Sequence, residues 1–133
     1  MKILFLFFLL IPNHVLSFSY EKKKCRWTEK YEVHVVNSLP QNSAMLRLHC
    51  ASGNDDLGYH DLSVNQDFQW SFCTRFFGTT LFFCHLWWGS KNKEFEVFNT
   101  DWQERCGNDI CDWAAKSDGI YFNGEKLYDW QDN

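Results

Sequence analysis

Residues 81–98 read Leu-Phe-Phe-Cys-His-Leu-Trp-Trp-Gly-Ser-Lys-Asn-Lys-Glu-Phe-Glu-Val-Phe, and this stretch decides the fold class. Its first eight residues are almost wholly apolar, which predicts a central β-strand covered on both faces. After Gly89 the pattern changes to alternation, with Phe95 and Val97 on one face of a second strand. The opposite face is assigned to Glu94, Glu96 and Phe98. No part of the chain sustains the 3.6-residue apolar period of a helix, so the sequence indicates a β protein.

Outside this stretch, four segments read as further strands. They are rich in apolar and β-branched residues that alternate with polar ones. The segments are residues 31–37, 45–51, 68–73 and 120–122. Turn-forming residues separate them at intervals of roughly ten residues. The sequence therefore predicts an all-β fold, a small antiparallel β-sandwich of about seven or eight strands stapled by disulfides.

The first residues predict a secretory signal peptide. Lys2 provides a positive start, an apolar run extends from Ile3 to Ile11, and small residues follow at Ser17 and Ser19. The run is shorter than the ~20 residues that a membrane helix needs. We expect residues 1–19 to form the signal peptide, with cleavage after residue 17 or 19. Residues 20–133 are expected to form one secreted, extracellular domain without membrane insertion.

The remaining chain contains six cysteines, an even number typical of a disulfide framework in a short secreted protein. They are Cys25, Cys50, Cys73, Cys84, Cys106 and Cys111. Six cysteines allow fifteen pairings, and spacing alone does not choose among them. A zinc site is the competing interpretation, but no second closely spaced Cys or His pair complements Cys106 and Cys111.

Charge and motifs argue against several classes of function. The formal net charge is −4, whereas a nucleic-acid-binding protein would be expected to show a basic face. The one basic run, residues 22–24, is interpreted as a solvated tail. Neither Gly-x-Ser-x-Gly nor His-Glu-x-x-His occurs, and a disulfide would remove the thiolate that a Cys–His nucleophile requires. We therefore expect no catalysis, no nucleic-acid binding and no cofactor.

Two adjacent carboxylates, Asp55 and Asp56, follow Asn54 and invite comparison with a calcium site. No twelve-residue pattern of ligands ending in Glu follows them. Asn and Asp are also favoured in turns because their side chains bond to nearby backbone. We interpret this segment as a turn, and no metal is expected.

Four motifs along the chain carry a family resemblance. They read Arg47-Leu-His-Cys-Ala-Ser-Gly-Asn-Asp-Asp-Leu-Gly58, Phe76-Phe-Gly-Thr-Thr-Leu-Phe-Phe-Cys84, Cys106-x4-Cys111-x-Trp113 and Asp118-Gly-Ile-Tyr121. In this order they resemble the plant self-incompatibility protein family, also called the S-protein homologues. The resemblance extends from Val33 to about Phe122.

The resemblance implies a small secreted β-sandwich with two disulfides, formed among cysteines that match Cys50, Cys84, Cys106 and Cys111. Founding members of that family are pistil ligands that act on a pollen receptor to reject self pollen. The expected function is therefore that of a secreted, non-catalytic ligand in extracellular recognition or signalling. Its expected partner is a cell-surface protein receptor. The alternatives are a secreted hydrolase or ribonuclease and a module that binds wall polysaccharide.

Beyond the four family cysteines, Cys25 and Cys73 are additional. In the strand at residues 68–73, Phe68, Trp70 and Phe72 form the core face, so Cys73 points outward. Cys25 precedes the first strand, in a segment expected to run over the surface. We predict that Cys25 pairs with Cys73 as a surface tether, while the pairing among the family cysteines stays open.

Recognition is expected in loops that a rigid sandwich supports. The candidate loops are residues 37–43, 52–58 and 88–93. The candidate residues within them are Asn37, Gln41, Asn42, Asn54, Asp55, Asp56, Trp88 and Lys91. An exposed tryptophan at Trp88 would be a suitable anchor for a partner.

Overall fold

The computed structural model describes residues 24–133, and the predicted signal peptide with its cleavage site lies outside them. The secondary structure is almost entirely β, with a single short 3-10 helix at Thr100–Arg105 among these residues. The strands are β1 (Lys30–Asn37), β2 (Leu46–Ser52), β3 (Asp56–Leu62), β4 (Asp67–Cys73), β5 (Leu81–Trp88), β6 (Lys91–Asn99), β7 (Ile110–Lys116), β8 (Gly119–Phe122), β9 (Glu125–Tyr128) and β10 (Gln131–Asp132). None of the helical structure in this part of the chain is long and apolar enough to cross a membrane.

The strands form two five-stranded sheets, which confirms the all-β sandwich. The first sheet has the order β4-β1-β7-β8-β9 and the second β10-β6-β5-β2-β3. Ten strands form where seven or eight were expected, and the segments identified from alternation did not include β3, β7 or the short edge strands β9 and β10. β1 and β7 are parallel, whereas a purely antiparallel sandwich was predicted. They are parallel because the chain crosses from β6 through the 3-10 helix and starts β7 beside the start of β1, with Ile110 opposite Glu32.

The core lies between the two sheets, where alternation along each strand brings apolar side chains face to face. The largest fully buried apolar side chains are Phe98, Leu46, Leu48, Leu86, Ile120, Val33, Val35 and Val97. Complete burial of such a side chain is worth ~1.5–3 kcal/mol. The Trp113 indole Nε1 donates a hydrogen bond of 3.0 Å to the Val97 carbonyl oxygen, which satisfies the buried indole and joins the two sheets.

Phe98 is a correction to the sequence analysis, which placed it on the outer face. It is fully buried, as is its neighbour Val97. The pairing of β5 with β6 shifts here, because Phe82 opposes Phe98 while Phe83 opposes Glu96. The extra residue forms a β-bulge, which lets two consecutive side chains point inward.

The prediction that β5 is covered on both faces is also wrong. Phe82, Cys84 and Leu86 are buried, but the other face carries half-exposed residues. These are Phe83, His85 and Trp87. The run is almost wholly apolar because rings also contact each other on the outer face, where His85 stacks on Trp87.

Two disulfides join the four cysteines that match the family. Cys50 and Cys84 are direct partners on neighbouring strands β2 and β5, and both side chains are fully buried. Cys106 and Cys111 close the short turn that leads into β7. Each bond links residues whose backbones the sheet or turn already holds close together.

Candidate functional site

A third disulfide joins Cys25 to Cys73, the pairing expected from the direction of the Cys73 side chain. The Cα atoms lie 5.6 Å apart, and both residues are partly exposed. Beyond the bond, the backbone amide of Thr74 donates to the Glu29 carbonyl oxygen at 2.9 Å. The segment before β1 is thus fixed along the start of the loop between β4 and β5. We call these two segments, residues 24–29 and 74–80, the tethered end.

The tethered end carries three aromatic side chains that lie largely in solvent. Trp27 is 79% exposed, Phe76 67% and Phe77 80%. The two phenylalanine rings contact each other edge to face at 4.7 Å. Scattered apolar residues are ordinary on a protein surface, but large aromatic side chains grouped at one end make this surface a candidate for interaction.

An open cleft of about 700 Å³ is lined by Arg75 and Thr79, which flank the residues Phe76 and Phe77 in the chain. The turn between β2 and β3 forms one wall, and the loop between β4 and β5 forms the other. Two of the predicted recognition residues, Asn54 and Asp55, line this cleft and are exposed. Their backbone amides lie 3.4 and 3.1 Å from the Ser52 hydroxyl oxygen, which accepts from them and shapes the turn.

The second predicted recognition loop is shorter than expected, because β3 begins at Asp56. Asp56 Oδ1 lies 2.7 Å from His49 Nε2 and also accepts from the Gly58 amide at 2.9 Å. These bonds hold the Asp56 carboxylate and lower its pKa, the Gly58 amide first and His49 second. Asp56 therefore stabilises the start of β3.

Asn37 was expected in an exposed recognition loop, but its side chain is fully buried. Its amide Nδ2 donates to the Leu62 carbonyl oxygen at 2.9 Å, and its Oδ1 accepts from the Leu39 amide at 3.0 Å. Asn37 thus holds two connections of the sandwich together. Gln41 and Asn42 follow it in an exposed turn, at the end of β1 away from the tethered end.

Trp88 and Lys91 do not form an open loop either. β5 ends at Trp88 and β6 begins at Lys91, so that the connection is a two-residue hairpin with Gly89 at φ +57°. Trp88 is half-buried and its ring lies 5.8 Å from that of Trp130. Lys91 Nζ pairs with Asp132 Oδ1 at 2.9 Å. Both side chains therefore attach the C-terminal segment to the second sheet.

Rings also stack on the outer face of the second sheet. The stacked pairs are His85 with Trp87 at 3.9 Å, Trp87 with Tyr59 at 6.0 Å, and Tyr59 with His49 at 4.3 Å. Their planes differ by 16°, 27° and 14°, so the rings lie against one another rather than side by side in an open row. The Arg47 guanidinium lies 4.9 Å from the centre of the Tyr59 ring. Tyr59, which is 57% exposed, is the most open ring of the group.

Histidine and cysteine side chains often act in catalysis, and within the described residues many of them are bonded to other groups of the protein. His85 Nε2 lies 2.9 Å from Asn92 Oδ1, and His60 Nε2 lies 2.8 Å from the Leu57 carbonyl oxygen. All cysteines in residues 24–133 are in disulfides. Within the same residues, no three His, Cys, Asp or Glu side chains are grouped so as to hold a metal ion.

His34 lies between two carboxylates on the outer face of the first sheet. Its Nδ1 is 2.7 Å from Asp67 Oδ2 and its Nε2 is 2.9 Å from Glu32 Oε2. Partial burial is the largest single influence on the His34 pKa and lowers it. The hydrogen bonds to Glu32 and Asp67 together outweigh burial, so the pKa is raised above its ordinary value.

This geometry predicts a pH-dependent contribution of His34 to stability. Because the folded-state pKa lies above that of the unfolded chain, ~6.5, the contribution is fully present below that pH. It is lost as the pH rises through the folded-state pKa. The His34→Gln variant should therefore lose more unfolding free energy at pH 5 than at pH 8, measured by chemical denaturation. An equal loss of unfolding free energy at both pH values would contradict the paired imidazolium. As a second measurement, Asp67→Asn should lower the His34 pKa determined by NMR.

Sequence reasoning did not identify Trp27, Phe76 or Phe77 as surface residues. A signal was present, since Phe76 and Phe77 directly precede Gly78 in a connection between two predicted strands. Apolar residues in a connection are not required by strand alternation, and this could have marked them as exposed. Trp27 carried no comparable signal, because its position depends on the tether.

Comparison with known proteins gives one consistent family. The sequence model of the family "Plant self-incompatibility protein S1" matches residues 32–131. S-protein homolog 21 of Arabidopsis thaliana is 33% identical over 133 residues, which cover 96% of this chain and 93% of that protein. S-protein homolog 24 of the same plant is 39% identical over 98 residues, which cover 67% of this chain and 63% of that protein.

A solved structure has the same fold. It matches with a TM-score of 0.63 and 22% sequence identity, over 78% of this chain and 96% of that one. That structure is described as a self-incompatibility protein homologue from a widespread family of small, highly stable, secreted plant proteins. The sequence matches and the shared sandwich show that this chain belongs to the plant self-incompatibility protein S1 family, a family of small secreted plant proteins.

Proposed function

We propose that this protein is a non-catalytic extracellular ligand, recognised through its tethered end by a protein receptor on a cell surface. The observation that carries the proposal is the exposure of Trp27, Phe76 and Phe77 in two segments joined by a disulfide. Aromatic side chains dominate the energetics of protein interfaces. Moving a phenylalanine from water into a partner's pocket is worth ~1.5–3 kcal/mol.

The tether favours binding because it restricts the two segments before a partner arrives. A free segment must lose conformational freedom on binding, and that loss weakens the complex. Here the Cys25–Cys73 bond and the hydrogen bond from Thr74 to Glu29 already restrict the segment. A rigid support with exposed anchors is what a recognition surface requires.

A secreted hydrolase or ribonuclease is the less favoured alternative. Such an enzyme needs a base within reach of a nucleophile or water and a group that stabilises the transition state. His49 and His85 are on the same outer face, but each is bonded to a neighbouring side chain and stacked on an aromatic ring. The interpretation as a polysaccharide module is weakened by the same stacking, because the rings lie face to face instead of side by side in a flat row.

The proposal is tested with the double variant Phe76→Ser/Phe77→Ser. Labelled, oxidised protein should bind saturably to plasma-membrane vesicles, and trypsin treatment of the vesicles should abolish that binding. The variant should bind at least ~10-fold more weakly, because the two lost anchors together remove more than ~1.4 kcal/mol. Binding isotherms give both affinities.

The matched control is Met45→Ser, which removes an apolar side chain that is 53% exposed outside the tethered end. It should bind like the wild type. Equal binding by the wild type and the double variant would refute recognition through the tethered end. The absence of any trypsin-sensitive binding would refute the receptor proposal itself.

A further inference from the structure

We propose that the receptor surface facing the tethered end is acidic, with carboxylates that pair with Arg26 and Arg75 around a hollow for the aromatic anchors. This inference rests on the proposed function and adds the chemistry of the partner. The first observation behind it is that the cations of the tethered end are unpaired, whereas most other cations of the described residues have a partner. The second observation is that arginines at this end are adjacent in the chain to exposed aromatic residues.

Most cations in residues 24–133 have a partner within the protein. Lys91 and Lys126 form ion pairs with Asp132 and Asp129. Four others lie over aromatic rings: Arg47, Lys93, Arg105 and Lys116. Apart from Lys30 and the cations of the tethered end, every lysine and arginine in the described part of the chain thus has an ion pair or a ring contact.

The cations of the tethered end differ. Lys24, Arg26 and Arg75 are exposed, and their side chains make no ion pair or ring contact with any residue from 24 to 133. Two carboxylates lie near them: Glu29 in the same segment and Asp55 across the cleft from Arg75. Three cations against two carboxylates leave this end positive on a chain whose formal net charge is −4. In the sequence, Lys22 and Lys23 directly precede Lys24.

Lys30, the first residue of β1, is not part of this site. It lies in β1 and lines a different hollow, together with Glu32 and Asp109. The free positive charge therefore belongs to the segments that also carry the aromatic anchors. Arg26 is adjacent to Trp27 in the chain, and Arg75 is adjacent to Phe76.

The composition of the tethered end favours a protein partner over a lipid or polysaccharide surface. Protein interfaces are enriched in Trp, Phe and Arg and depleted in Lys. A guanidinium binds a carboxylate through two parallel hydrogen bonds, which gives orientation as well as attraction. Alternating arginine and aromatic side chains therefore fit acidic groups placed beside apolar pockets. Such complementary charge acts mainly on the rate of association and on specificity.

The test is the charge-reversal variant Arg26→Glu/Arg75→Glu, with Arg47→Glu/Lys116→Glu as a control of identical net charge. Both use the full oxidised protein and plasma-membrane vesicles, at two salt concentrations. We expect the affinity of the tethered-end variant to fall about tenfold or more at low salt. The control should stay within about threefold of the wild type. Wild-type affinity should decrease with salt, and the decrease should be smaller for the variant.

Two further probes separate other sources of negative charge. Protein-free vesicles of phosphatidylcholine with phosphatidylserine represent an acidic lipid surface, and polygalacturonate represents an acidic polysaccharide. Neither should bind the wild type with the affinity of the plasma-membrane vesicles. Comparable binding to either probe would overturn the assignment of a protein partner.

The outcomes distinguish the inference from the function on which it rests. If Phe76→Ser/Phe77→Ser loses trypsin-sensitive binding while Arg26→Glu/Arg75→Glu keeps it, the receptor proposal stands and the acidic surface is wrong. If the control variant loses as much affinity as the tethered-end variant, binding depends only on net charge and the inference is again overturned. If no trypsin-sensitive binding exists, both fail. Circular dichroism of each variant confirms that the sandwich is folded.

Discussion

Replacing Asn37 with alanine is expected to lower the free energy of unfolding by ~2–6 kcal/mol. The side chain is fully buried and bonds to the Leu62 carbonyl oxygen and the Leu39 amide. Alanine would leave both backbone groups buried without these partners, and each unsatisfied group costs ~1–3 kcal/mol. Denaturation by urea, followed by tryptophan fluorescence, measures the change.

Two comparisons give this prediction a clear outcome. Asn37→Asp retains an acceptor for the Leu39 amide but places a carboxylate against the Leu62 carbonyl oxygen, so it should destabilise at least as strongly. Gln41→Ala, in the exposed turn, should change stability by less than ~0.5 kcal/mol. A stable Asn37→Ala protein with impaired receptor binding would instead restore the recognition role that sequence analysis assigned to Asn37.

The second large effect concerns the tether. Cys25→Ser/Cys73→Ser should lose ~2–4 kcal/mol of stability, because the bond closes a chain segment with a sequence separation of 48 residues and restricts the unfolded state. The sandwich should remain folded, since the other two disulfides and the core are untouched. Binding to plasma-membrane vesicles should also weaken, because Arg26 and Trp27 would no longer be fixed beside Arg75 and Phe76.

Hydrogen exchange separates these two consequences. In the double serine variant, protection should fall for the Thr74 amide, which donates to Glu29 in the tethered end. Amides of β2 and β5, joined by the buried Cys50–Cys84 bond, should keep most of their protection. Unchanged binding would show that recognition does not need the tether. Loss of protection throughout would show that the bond supports the whole fold.

Prediction from sequence succeeded where a pattern repeats along the chain. The alternation in β1 placed Tyr31, Val33 and Val35 on one face, and all three are buried. It failed at Phe98, where a bulge changes the face without a sequence signal that alternation can detect. The prediction of a loop over residues 52–58 was wrong at Asp56, which begins β3. A turn and the first residue of a strand favour the same side-chain bonds to backbone, so composition does not separate them.

The candidate site was predicted only in part, for a related reason. Asn54 and Asp55 do lie at the cleft, since a turn-rich segment between strands is exposed almost wherever it occurs. Asn37 and Trp88 are at strand ends, where composition resembles a loop but the tertiary contacts bury the side chains. The distinction depends on residues distant in sequence, Leu62 for Asn37 and Trp130 for Trp88.

The sequence by itself determined the class of fold, the presence of disulfides and the family, because strand alternation, the six cysteines and the four motifs are local properties. It also determined that Cys73 points outward, since side-chain direction alternates strictly along a strand. Only the tertiary structure decided where Trp27, Phe76 and Phe77 meet solvent, and which cations stay unpaired. These depend on contacts between segments that lie about fifty residues apart and become neighbours through the pairing of β1 with β4 and the Cys25–Cys73 bond.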